Sequence, residues 1–183
     1  MKQLFIVLPL LLLMACGQQA ADSNTETTAA PLAGGQSNVK DDTSEPDVVR
    51  IAVNSNVHKT LVAALKAANY VDALSNAGPF TVFAPTDDAF AKLPAGTVDN
   101  LVKPENKETL QNILEYHVYV GNIREELVQD GMTLNQVNLD NVTLNKDGDG
   151  NITVNGAKVL GVVKASNGMV YVIDTVLLPP DKK

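Results

Sequence analysis

Apolar residues recur at helical spacing in two places. In VHKTLVAALKAANY, the residues Val57, Leu61, Ala64, Leu65 and Ala68 fall on one stripe, and in ENKETLQNILEYHV the stripe is Leu110, Ile113, Leu114 and His117. Both stretches predict amphipathic helices. Asn54-Ser55-Asn56 offers N-cap residues to the first, and Pro104 suits the first position of the second. Asp47 to Val53 reads as a short apolar opening segment, and Tyr70 to Leu74 as a further helical turn closed by Asn76-Ala77-Gly78. Phe80 to Ala84, β-branched and aromatic, predicts a strand stopped by Pro85. Thr86, Asp87 or Asp88 then caps a short helix carrying Phe90 and Leu93 and ended by Pro94, and Thr97 to Val102 supplies another turn.

After Gly121 the period changes. GMTLNQVN, NVTLN, NITVNG, KVLGVV and MVYVIDTVLL are short alternating or apolar strands separated by Asn/Asp/Gly turns. Helices in the first half and strands in the second predict an α+β fold and not a parallel doubly wound sheet.

The N-terminal pattern is different. Lys2 precedes an apolar run from Leu4 to Met14, shorter than the roughly 20 residues of a membrane span and suited to a secretory signal core. It ends Leu13-Met14-Ala15-Cys16, and Cys16 is the only cysteine. The pattern resembles a bacterial lipobox, which implies residues 1–15 as a lipoprotein signal peptide and an acylated, palmitate-bearing Cys16. The alternative is an ordinary signal peptide with a chance cysteine. A lone thiol in an exported chain is otherwise unexplained, and two or more acyl chains hold a protein stably on a membrane. Gly17 in place of Asp favours an outer membrane, where the cell has one, by resemblance to enterobacterial lipoproteins. Residues 16–46 have no aromatic residue and few large aliphatics, the composition of a disordered tether with a span of roughly 30 Å. Residues 47–183 are then a single domain.

Charge narrows the function. The 14 basic and 21 acidic residues leave a net charge of −7, one more negative once Lys2 is removed. That balance argues against nucleic acid, which demands clustered Lys and Arg, and no cofactor is implied. Only two histidines are present, with no Cys or His at metal-ligand spacing, no G-x-S-x-G elbow and no phosphate-cradling glycine motif. Asp147, Asp149 and Asn151 imitate the start of a calcium loop, but Ile152 stands where glycine is needed and Lys158 where the bidentate acid belongs. A hairpin turn is the better account. The sequons Asn141-Val142-Thr143 and Asn151-Ile152-Thr153 carry little weight in a bacterial chain.

Three blocks in order resemble a fasciclin domain: TVFAPTDDAF at residues 81–90, Tyr116-His117 at a helix end before a strand, and GMVYVIDTVLLP from Gly168 to Pro179. LVAALKAANYVDAL fits the family's opening as well. The resemblance covers roughly residues 48–180. It implies a β-sandwich or wedge of about seven strands with several helices on its side, and a role in adhesion or matrix contact.

Thr86, Asp87, Asp88, Tyr116 and His117 are the candidate binding or structural motif. Paired aspartates after a strand are also where hydrolases keep their chemistry. A chain leaving a strand for a helix needs a cap, however, worth about 1 kcal/mol, and a carboxylate in the first turn adds up to about 1 kcal/mol more. One device explains all three residues, so the acids start a helix. His117, on an apolar stripe, reads as a hydrogen-bonded core residue with a partner expected between Ala84 and Asp88, the resemblance placing those blocks together. Tyr116 packs. The expected protein is a membrane-anchored, non-enzymatic module, monomeric as a domain, that contacts a protein, polysaccharide or matrix component. The alternatives are an envelope hydrolase using Asp87, Asp88 and His117, or a small-ligand carrier.

Overall fold

The computed structural model describes residues 45–180; the predicted leader, Cys16 and most of the predicted tether lie outside that range. The chain runs α1 (Val48–Asn54), α2 (Lys59–Ala67), α3 (Val71–Ser75), β1 (Phe80–Pro85), α4 (Asp87–Ala91), α5 (Thr97–Leu101), a 3-10 turn (Pro104–Asn106), α6 (Lys107–Tyr116), β2 (Val118–Val120), a 3-10 turn (Glu125–Leu127), β3 (Met132–Asn135), β4 (Asn141–Lys146), β5 (Ile152–Val154), β6 (Ala157–Ala165) and β7 (Gly168–Ile173). The strands form one seven-stranded sheet in the order β2-β1-β7-β6-β5-β4-β3. Its two ends nearly meet, because Val137, just past β3, donates its N–H to the Val118 carbonyl of β2 at 2.9 Å. The α+β class, the seven strands and the helices stand as expected.

The opening segment differs from its sequence reading. Val48–Asn54 is a helix, capped by the Asp47 side chain, which accepts from Arg50 N at 2.7 Å. Its β-branched residues give little helical propensity. Burial of Val48, Val49 and Ala52 against α2, α3 and β7 supplies the stabilisation instead. Just before it, Pro46 accepts from Ser166 N and Glu45 lies 3.6 Å from the Lys164 ammonium, so the chain enters along the β6–β7 turn.

β1 is the hinge of the architecture. It pairs antiparallel with β2 and parallel with β7, and from Thr81 onward it is buried on both faces. Val82 and Ala84 join a core of helix residues such as Leu61, Leu65 and Leu114. Phe83 turns the other way, into a core inside the curled sheet with Tyr116, Leu144, Tyr171 and Ile173. The two-sided burial accounts for its unbroken apolar sequence. β7 must approach closely, since any side chain at Gly168 would collide with the Phe80 carbonyl.

Candidate functional site

At the end of β1 the chain turns at Thr86, whose N–H donates to the Ile173 carbonyl at 3.1 Å. Its hydroxyl accepts from Ala89 N at 3.2 Å, which makes Thr86 the N-cap of α4. Asp87 serves a different helix from the one it begins. Its N–H donates to Val57 O at 2.8 Å, and its carboxylate accepts from Thr60 N at 2.7 Å and Lys59 N at 3.3 Å. Asp87 thus caps α2, a helix that precedes it in sequence, while Thr86 alone caps the helix both belong to. Partial desolvation would raise the Asp87 pKa, but the Thr60 and Lys59 donors and the neighbouring His58 lower it below the ordinary value. Asp88 is exposed, and its contribution is limited to the first-turn dipole effect.

Asn54-Ser55-Asn56 does not cap α2. Position N-cap is His58, without a side-chain cap of its own, and Val57, expected on the buried stripe, is half exposed. Leu61, Ala64, Leu65 and Ala68 are buried as predicted. The His58 ring is buried with Nδ1 2.8 Å from the Ser55 hydroxyl. Its Nε2 has no partner. Burial lowers its pKa, and this outweighs the opposing pull of the Ala84 carbonyl and the Asp87 charge. The Ala84 carbonyl is a weak acceptor for the ring, short of a regular hydrogen bond. In the sequence, the one local signal for this histidine is Ser55 three residues before it.

Tyr116 and His117 are adjacent yet serve different cores. Tyr116 ends α6 and enters the sheet interior, where its hydroxyl donates to Asn141 O at 3.0 Å and accepts from Asn155 Nδ2 at 2.8 Å. Asn155 in turn accepts from Thr143 N at 2.8 Å. The tyrosine therefore ties α6 to β4 and the β5–β6 turn. His117 is 3 % exposed. Its Nδ1 donates to Ile113 O at 2.8 Å and its Nε2 accepts from Leu177 N at 3.0 Å, a pairing that requires the neutral ring with its proton on Nδ1. The expected partner between Ala84 and Asp88 is not the one used: the ring reaches the segment after β7, sixty residues on. The hydrogen bond from β1 to the residue is made by the backbone, Phe83 N donating to His117 O at 2.8 Å. Burial drives the His117 pKa down to about 4, against a smaller opposing effect of the Ile113 carbonyl.

These residues do not assemble into one catalytic constellation. His117 bonds to backbone groups, Asp87 to helix N-terminal amides, and Asp88 points to no described partner. The acid and imidazole that do interact electrostatically are Asp87 and His58. Two apolar cavities of about 20 Å³ flank His117, one towards α1, β1 and β7, the other towards α4, α5 and Val176. Each has room for roughly one water, far below the roughly 300 Å³ or more of a small-molecule site. In the β4–β5 turn, Asp147 accepts from the N–H groups of Asp149 and Asn151 and from the Asn151 amide. That carboxylate closes its own turn, and among the described residues no cluster of acids, histidines or cysteines has metal-binding geometry.

A seven-stranded, nearly closed sheet with helices along one side, and a Tyr-His pair joining the two cores, defines the class of domain. The chain belongs to the fasciclin family, whose domain profile, "Fasciclin domain", matches residues 56–179. It is 52% identical over 134 residues to Protein sll1483 of Synechocystis sp., covering 73% of either chain. It is 38% identical over 141 residues to the immunogenic protein MPB70 of Mycobacterium bovis, over 73% of this chain and 70% of that one. It is 36% identical over 172 residues to the cell surface glycolipoprotein MPB83 of Mycobacterium bovis, over 90% of this chain and 70% of the relative. Among solved structures, a FAS1 domain pair from the insect cell adhesion molecule fasciclin I matches with a TM-score of 0.64 at 19% identity, over 73% of this chain. This chain spans 51% of that pair, and the likeness speaks to the fold alone.

Proposed function

We propose that this protein is a non-enzymatic adhesion-type module, exported and held on the cell envelope by lipid on Cys16, with the domain contacting a protein or polysaccharide. The observation that carries the reading is the use of the motif's polar atoms. Thr86 and Asp87 cap helices, Tyr116 ties a turn, and His117 holds two backbone groups. None of the four retains the converging, solvent-open geometry that general acid–base or nucleophilic chemistry requires. The named relatives support the same reading, one being a cell surface glycolipoprotein and matching this chain beyond the fasciclin domain. No helix among the described residues is long and apolar enough to cross a membrane, so membrane attachment in this reading rests on Cys16.

The test is fractionation of cells carrying wild type or Cys16→Ser, combined with an attachment assay of the same cells to matrix-coated surfaces. The variant should leave the membrane fraction, and attachment should fall with it. Unchanged membrane retention sinks the lipid anchor, and unchanged attachment after release sinks the adhesive role.

A further inference from the structure

We propose that the segment after β7, Thr175–Pro180, is an acid-released strap latched by His117, whose departure uncovers an apolar groove between α2, α4, α5 and α6. Its root is fixed. Asp174 accepts from Lys158 N at 2.8 Å and from the Thr175 hydroxyl at 3.0 Å, and its carbonyl takes the Lys92 ammonium at 2.6 Å. Beyond the root the strap has no strand partner. Val176 and Leu178 close a cavity lined by Leu61, Phe90, Leu93, Leu101, Leu110 and Ile113, while Leu177 is buried in the core of the sheet. Among the described residues, the hydrogen bond holding this stretch is Leu177 N–H to His117 Nε2.

That latch works in one protonation state. With the ring neutral, Nδ1 donates to Ile113 and Nε2 accepts from Leu177. Adding a proton to Nε2 sets two donors face to face and places a charge among aliphatic side chains. The Ile113 bond survives protonation, so the strap is the side that yields. The residues lining the two cavities beside the ring come from α1, α2, α3, β1, α4, α5, α6, β2, β7 and the strap itself, and they are uncharged. The ionisable groups on those elements are Arg50, Lys59, Lys66, Asp72, Asp87, Asp88, Asp99, Lys107, Glu108, Glu115, Tyr116, Tyr119 and Tyr171, with His58 just before α2 and Lys92 and Asp174 at the strap root, and none lies in that lining. The shift of the ring follows burial and the Ile113 carbonyl alone, so no neighbouring charge compensates an added proton.

The experiment is amide exchange by NMR on the full chain, reading Leu177 against Phe83, whose N–H is bonded to the His117 carbonyl in the core. Between pH 7 and pH 4, after correction for intrinsic rates, Leu177 should lose protection about 100-fold relative to Phe83, the linkage expected of a ring whose pKa recovers on opening. A hydrophobic dye, anilinonaphthalene sulfonate, should bind over the same range while the β-sheet circular dichroism is unchanged. His117→Gln, which keeps an acceptor but cannot titrate, should abolish the pH dependence. Leu177→Pro, which removes the donor and leaves His117 intact, should bind the dye already at pH 7. Equal loss of protection at Leu177 and Phe83 would mean global unfolding and overturn the strap. So would flat protection at Leu177, or a Leu177→Pro variant with wild-type stability and no dye binding.

Discussion

The two histidines stand at corners built to opposite rules. At His117 both ring nitrogens are matched, each by a backbone group of a different segment. At His58, Nδ1 meets the Ser55 hydroxyl while Nε2 is buried without a partner. The first corner joins α6, β1 and the segment after β7, and it lies where the two cores meet. The second sits at the N-terminus of α2, next to a carboxylate that already serves that helix. An imidazole tied on both sides makes the fold depend on its protonation state. One tied on one side leaves an unmet donor or acceptor, which costs about 1–3 kcal/mol and marks a place where the structure is less optimised. The comparison locates stability at His117 and tolerance at His58.

The largest test of that contrast is His117→Ala. It leaves Leu177 N–H and Ile113 O unpaired and merges two small cavities, a combined cost of about 3–5 kcal/mol. The melting temperature should fall by roughly 10 °C or more, and any lost adhesion should track the lost folded protein. His58→Ala, removing one hydrogen bond and an orphan, should cost clearly less. Equal losses in calorimetry would erase the difference between the corners, and wild-type stability with lost adhesion in His117→Ala would move that residue from the fold to the contact surface.

Next comes pH. The folded pKa of His117 is about 4, below its ordinary 6.5, so the unfolded chain binds the proton more tightly. Its contribution is complete above pH 6.5 and is lost as pH falls through the window from 6.5 to 4, on the order of 3 kcal/mol in all. His58, also lowered, adds in the same direction. Denaturant titrations across this window should show wild type losing stability, with the slope much reduced in His117→Gln. A slope that the substitution leaves untouched would assign the acid sensitivity elsewhere.

How far these corners could be read from sequence depends on where their partners lie. The α6 stripe of Leu110, Ile113, Leu114 and His117 repeats at helical spacing, so the burial of His117 was legible. Its partner was not, because Leu177 is 60 positions away and an N–H leaves no mark in a sequence. The same limit hid Asp87. A carboxylate after a strand signals a helix start, and a helix does start there, but the amides it accepts from belong to residues 59 and 60. The α1 helix was missed for another reason: Val48, Val49, Ile51 and Val53 favour strands locally, and tertiary burial overrides that preference. The β4–β5 turn was legible because Asp147 and Asn151 close it within their own few residues.

A smaller effect is expected at Asp87. Asp87→Asn keeps one amide oxygen for Thr60 N but removes the charge at the α2 N-terminus. A loss of about 1 kcal/mol is expected. Because this carboxylate titrates below its ordinary value in the folded chain, its contribution is present above the unfolded pKa and disappears as pH falls through the lower folded one. The deficit of the variant should therefore shrink in strong acid. A loss that stays constant with pH would mean the side chain acts by packing and not by charge.

The smallest effect is expected at Asp88, and it decides between the two meanings of the acid pair. Asp88 is exposed at the second position of α4, where a carboxylate gains only the screened dipole attraction of a short helix. Asp88→Asn should shift stability by less than about 0.5 kcal/mol. If the pair were hydrolytic, Asp88 would be the carboxylate most open to a substrate, because the oxygens of Asp87 are engaged by Thr60 and Lys59. A hydrolase substrate screen on wild type, Asp88→Asn and the Asp87→Asn/Asp88→Asn pair should give no turnover above buffer in any of the three. Reproducible turnover in wild type that vanishes in a folded Asp88→Asn protein would make the acids catalytic. The near-zero stability change would then strengthen that conclusion, since loss of fold could not account for the lost activity.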